Sequence, residues 1–125
     1  MSNKAKLLSV SEKIEGEICL EIEGRELICF CFPPPFQYKL GTELYVEFDF
    51  LDIADFGIRS SQEGVKSIEQ IGDGFVYRIR GFQDIDRLDA GILFNNPLPE
   101  EFEKFRNSFI EMVVTRIDAD IVLYP

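Results

Sequence analysis

From Ile14 to Glu23 the chain alternates without a break: Ile14, Gly16, Ile18, Leu20 and Ile22 fall on one side, and Glu15, Glu17, Cys19, Glu21 and Glu23 on the other. Successive side chains of a strand point to opposite faces, so this period predicts a half-buried strand with one wet, acidic face. Glu23-Gly24-Arg25 predicts the turn, because Gly24 supplies the positive φ that a tight hairpin needs. The return strand, Glu26 to Phe32, has two available registers. A three-residue loop sets Ile28 against Leu20, Phe30 against Ile18 and Cys29 against Cys19. A two-residue loop sets Leu27 against Leu20 and brings Phe30 against Glu17. The first keeps Phe30 among apolar partners and is the register expected.

Pro33-Pro34-Pro35 ends that strand, since proline cannot donate to a ladder. A second alternating run follows, with Leu44, Val46, Phe48 and Phe50 inward and Glu43, Tyr45, Glu47 and Asp49 outward. The polar stretch from Asp52 to Gly64 predicts the longest irregular segment. Val65 to Ile71, the Gly72-Asp73-Gly74 turn and Phe75 to Phe82 predict a second hairpin, and Ala90 to Phe94 a short strand. Asn96 is placed to cap a helix with Pro97 and Pro99 in its first turn, Glu100 and Glu101 at its positive end, and Lys104 and Arg106 at its negative end. Leu98, Phe102, Phe105 and Phe109 form its apolar stripe. A long β stretch from Ile110 to Tyr124 closes the chain, bent or bulged near Arg116, where the alternation loses its phase. The expected fold is mainly β: one domain over residues 1–125, a small closed or partly open β-barrel of about seven strands. One short helix lies near its C-terminus and residues 1–12 form a loose leading segment.

The entry Gly16-Glu17-Ile18 with its hairpin, followed by Leu40-Gly41-Thr42-Glu43-Leu44-Tyr45-Val46, resembles the strand-and-return pattern of OB-like small barrels. A second resemblance lies in Asp52-Ile53-Ala54-Asp55-Phe56-Gly57-Ile58, which is similar to the Asp-x-Ser-x-x-Gly element of PilZ domains, small β-barrels that bind cyclic di-GMP. Ala54 stands where that element has serine, and no Arg-x-x-x-Arg occurs in the chain to grip guanines and phosphates.

Composition narrows the chemistry. Histidine is absent, which removes Ser-His-Asp and Cys-His arrangements and the commonest general base near neutral pH. There is no Gly-x-x-x-x-Gly-Lys phosphate loop, and Asp84, Asp86 and Asp89 lack the remaining ligands of a calcium loop. Cys19, Cys29 and Cys31 are read as reduced, small apolar side chains; no metal and no cofactor is expected. No apolar run approaches the roughly 20 residues of a bilayer span, and Leu7-Leu8 is too short for a secretory core, so a cytoplasmic location away from membranes is expected. The net charge of −10 repels nucleic-acid phosphates and steers basic partners inward. A non-enzymatic protein is the expectation.

Two surfaces are candidates for recognition. The first is an acidic ridge of Glu15, Glu17, Glu21 and Glu23, extended by Glu43, Tyr45, Glu47 and Asp49 if the strands adjoin. It reads either as a docking face for a basic protein, as in inhibitors and immunity proteins, or as the ordinary solvated face of a sheet. The second is Phe32-Pro33-Pro34-Pro35-Phe36-Gln37-Tyr38, whose Phe36 and Tyr38 serve an interface, or whose Phe32 and Phe36 plug an open barrel end. A homodimer built from strand edges is a further possibility. The alternative function is a small-ligand or nucleotide-binding barrel that uses Asp52, Arg78, Arg80 and Arg87. Arg87-Leu88-Asp89-Ala90-Gly91-Ile92-Leu93 is echoed by Arg116-Ile117-Asp118-Ala119-Asp120-Ile121-Val122, which reads as shared turn-to-strand grammar.

Overall fold

The first hairpin takes the register that hydrophobic matching disfavours. In the computed structural model, which describes residues 2–95 and 100–123 (the backbone alone for 54–56), β2 (Glu17–Ile22) and β3 (Arg25–Phe30) pair Ile22 with Arg25, Leu20 with Leu27, Ile18 with Cys29 and Glu17 with Phe30. The turn is therefore Glu23-Gly24, with φ of 50° and 79°. Positive φ at both central residues twists the chain as right-handed strands require, and this local geometry decides the register. Ile18, Leu20, Leu27 and Cys29 line the core in consequence. Phe30 is not a core residue opposite Ile18, as the three-residue loop required. It lies on the outer side, under the Arg116 guanidinium at 3.7 Å from its ring centroid and edge-on to Phe75. Gly16 makes room for it, since a Cβ there would meet the ring at 2.3 Å.

Residues expected to be loose at the start form β1 (Asn3–Val10), whose Ala5 and Leu7 are buried. It pairs with β2 on one side and with β4 (Glu43–Ser60) on the other. The segment from Asp52 onward is strand, not loop: β4 continues to Ser60 across an irregularity between Ile53 and Ile58. Over that interval β4 advances five positions while β9 (Ser108–Val122) advances two, from Val114 to Met112. Asp52 and Gly57, at φ 48° and 64°, absorb the extra chain. On β9 the inward face switches phase between Val114 and Ile117, both fully buried, near the Arg116 where the alternation breaks in the sequence.

The remaining strands are β5 (Ser67–Gln70), β6 (Tyr77–Gln83), β7 (Leu88–Asp89) and β8 (Leu93–Phe94), making nine in one sheet among the described residues. The fold is mainly β, but it is not a clean barrel of seven strands. The pairings form two cycles that share the β4–β9 ladder. One runs β1–β2–β3–β9–β4 and back to β1, joined between β3 and β9 by the single pair Phe30–Asp118. The other runs β4–β8–β7–β6–β9, with β5 on its edge. Phe48, Phe94, Leu88, Ile79, Ile110 and Met112 join Leu7, Ile18 and Leu20 in one continuous core. Gly81 permits the close approach of β7 to β6, because a Cβ there would meet the Asp89 carbonyl oxygen at 2.3 Å.

The expected helix shrinks to a 3-10 helix, Glu100–Phe105, kinked at Phe102. Phe102 and Phe105 pack against the core as the stripe requires, whereas Phe109 belongs to β9. Asn96, Pro97, Leu98 and Pro99 lie outside the described residues. Among the described residues no helix is long and apolar enough to cross a membrane.

Candidate functional site

The acidic ridge does not run unbroken from β2 to β4, because β1 lies between them. Lys6 stands opposite both Glu21 and Glu43, and Lys4 reaches the Glu43 carboxylate at 3.7 Å. Glu15 and Glu23 fall in turns outside β2, leaving Glu17 and Glu21 as its outward acids, both half-buried. The two parts of the sequence-based ridge are thus separated by cations.

A denser acidic face forms where β4 meets β9. Outward Glu47 stands directly opposite Asp120, and Asp49 directly opposite Asp118. Tyr45 continues the same row opposite Val122. Like charges facing each other across a ladder destabilise a sheet, so both pairs oppose folding. Asp118 is relieved by Arg116, whose Nε donates to it at 2.5 Å, and Glu47 accepts from the Asn95 amide at 3.2 Å. Asp49 and Asp120 have no ion-pair partner among the described residues. Sequence reading missed Asp118 and Asp120, whose register against Glu47 and Asp49 is set by a pairing of strands far apart in the chain.

The proline loop borders this face. Cys31, Phe32, Pro33, Pro35, Gln37 and Tyr38 line a groove of about 160 Å³ with Ala119, Asp120 and Ile121 of β9. Phe32 and Phe36 are 61% and 60% exposed, so neither plugs a barrel end; Tyr38 and Pro35 hold the loop down instead. The structure therefore joins two features that the sequence kept apart: carboxylates with no ion-pair partner among the described residues and the exposed Phe32 meet along β9.

A contrasting charged row crosses the outer face of the second cycle. Arg80 on β6 and Arg59 on β4 flank Glu111 on β9, and the Nε of each donates to its carboxylate at 2.6 Å. Arg80 also reaches Glu69 of β5 at 2.5 Å. Burial alone would raise the Glu111 pKa, but the hydrogen bonds and charges of Arg80 and Arg59 outweigh it and hold the carboxyl below its usual range. Of the residues assigned to a ligand site by sequence, Arg78 and Arg80 share the outward face of β6. Arg87 sits in the turn before β7 with Asp84 at 3.9 Å, and Asp52 is exposed on β4; neither lines the cavity beside Arg78. Arg59 and Glu111, which do line it, carried no motif that could have marked them.

The three cysteines are free and buried. Burial pushes the Cys19 thiol up to about 11, with the charge of Glu26 adding to it, and raises Cys29 and Cys31 as well. Thiols so protonated are poor nucleophiles at neutral pH. Among the described residues no group of three or more His, Cys, Asp or Glu side chains is placed to hold a metal ion. In the repeated heptads the aligned Leu88 and Ile117, and Ala90 and Ala119, are all buried, while their arginines pair differently: Arg116 with Asp118, Arg87 with Asp84.

A family model described as Uncharacterised conserved protein UCP019853 matches residues 1–122. No curated protein and no solved structure matches the chain.

Proposed function

The chain belongs to the family Uncharacterised conserved protein UCP019853, and from its surface we propose a non-enzymatic interaction module that docks a basic protein partner along the β4–β9 acidic face and the proline loop beside it. The carrying observation is the pair of like-charge contacts, Glu47 against Asp120 and Asp49 against Asp118, in a face bordered by the exposed Phe32 of the proline loop. Repulsion that weakens the free protein is relieved when a lysine or arginine of a partner enters between the carboxylates. Steering by the net charge of −10 speeds the encounter, and Phe32 supplies apolar area at small entropy cost. A groove of about 160 Å³ beside Asp120 accommodates the aliphatic stem of such a side chain. An inhibitor or immunity-type protein that covers the basic site of its target fits this description.

The cycle of five strands, nearly open at the single β3–β9 pair, supports an OB-like reading of the first half. The absence of histidine and the raised thiol pKa values support a binding role over catalysis.

The test is a pull-down from host lysate with the wild-type chain and with Asp49→Lys/Asp120→Lys, washed at low and at moderate salt. A basic protein retained by the wild type, weakened by salt and lost with the double variant supports the reading. Retention unchanged by the charge reversal, or capture of acidic proteins only, would falsify it.

A further inference from the structure

Arg78 is a cation without a counterpart. Its cross-strand neighbour on β5 is Glu69, but that carboxylate is taken by Arg80 at 2.5 Å. Its neighbour on β9 is Val113. The Arg78 Nε is buried and makes no hydrogen bond, and no ion pair reaches Arg78 among the described residues. A buried Nε–H with no acceptor is costly, and an anion seated against the guanidinium would recover that cost.

Space for such an anion adjoins it. Gly57, Arg59, Arg78, Glu111, Met112 and Val113 line a cavity of about 280 Å³. Glu111 is engaged by Arg59 and Arg80, which orients the Arg59 guanidinium at the rim while leaving most of its side chain open to solvent. Among the described residues two guanidiniums and one carboxylate line the cavity, an excess of one positive charge in a chain of net −10. Val113 adds an apolar wall, while Met112 turns its side chain into the core.

We infer that this cavity binds a small organic monocarboxylate, its carboxylate received by the Arg78 fork and its hydrocarbon part resting on Val113. One unmatched guanidinium balances one negative charge. A phosphate dianion would bring a second charge into an already anionic protein and leave the apolar wall unused. The inference stands apart from the docking face, which occupies the other half of β9.

The experiment is thermal denaturation and calorimetric titration of the whole chain with sodium benzoate, sodium acetate, inorganic phosphate and chloride at matched ionic strength. At about 10 mM, benzoate is expected to raise Tm by about 2 °C or more over chloride, acetate less, and phosphate no more than chloride. Arg78→Met should abolish the benzoate response while its ligand-free Tm stays at or above that of the wild type, since no hydrogen bond or ion pair of Arg78 among the described residues is lost. Arg78→Lys keeps the charge without the planar fork, and should weaken benzoate at least about fivefold. No benzoate response beyond chloride, a response preserved in either variant, or phosphate stabilising as well as benzoate would each overturn the inference.

Discussion

The Tyr77 hydroxyl accepts the backbone amide of Ile28 at 2.8 Å, tying β6 of the second cycle to β3 of the first. The bond fills a place on the β9 edge of β3, where among the described residues Phe30 and Asp118 alone pair between the two strands. Tyr77→Phe leaves that amide without an acceptor and should cost about 1–2 kcal/mol, read as a lower urea midpoint with an unchanged slope. Burial raises the Tyr77 pKa from 10.0 to about 12, although the Ile28 bond opposes it. A group whose native pKa is raised stabilises fully below its unfolded value. Its share of stability is therefore lost as pH climbs from 10.0 to about 12, and that loss should vanish in Tyr77→Phe.

Glu111 acts at the other end of the pH scale. Its carboxyl is held below the ordinary 4.5, so its contribution is present above that value and disappears as pH falls through the depressed native one. Glu111→Gln should lose about 2 kcal/mol at neutral pH, less than a fully enclosed pair would, because Arg59 remains solvated. Its stability should then decline less steeply on acidification than that of the wild type. Equal acid slopes in denaturation curves taken from pH 6 downward would remove Glu111 from the account.

The acidic pairs should behave in the opposite sense. Asp120→Asn or Asp49→Asn removes a like-charge contact and is expected to raise stability by about 0.5 kcal/mol at low salt. The gain should shrink toward zero near 0.5 M salt, where the screening length falls to roughly 4 Å. Urea titrations at the two salt concentrations measure both effects. A loss of stability in both variants would mean that these carboxylates support the fold.

Two glycines offer a matched comparison. Gly81→Ala places a methyl 2.3 Å from the Asp89 carbonyl oxygen, which is backbone and cannot swing aside, so a loss of about 2 kcal/mol or more is expected. Gly74→Ala meets nothing within 4 Å and should be neutral or slightly stabilising. Melting temperatures of the two single variants decide whether the β6–β7 approach is as close as described.

The legible part of this fold is what short-range patterning determines. Both hairpins, the inward Leu44, Val46 and Phe48, and the phase break near Arg116 follow from alternation and turn residues. The hairpin register failed because hydrophobic matching competed with a turn whose Glu23 accepts positive φ, an uncommon conformation for that residue type. β4 was cut short at Asp52 because polar residues and Gly57 look like loop, whereas in the fold they are a bulge held in register by β9. The acidic face was half visible: Glu47 and Asp49 alternate outward on their own strand, but Asp120 and Asp118 join them only through long-range pairing. Arg59 and Glu111 were invisible for the same reason, being 52 residues apart.

The shared β4–β9 ladder has a consequence for how the molecule is made. Both cycles need β9, and β9 follows the other eight described strands in chain order. On a ribosome neither cycle can close while the first eight strands emerge, and β3 and β4 wait with unsatisfied edges until Ser108–Val122 arrives to serve both. Closure should then come as a single event on the emergence of β9, with the nascent chain at its most vulnerable to wrong pairing just before that strand arrives.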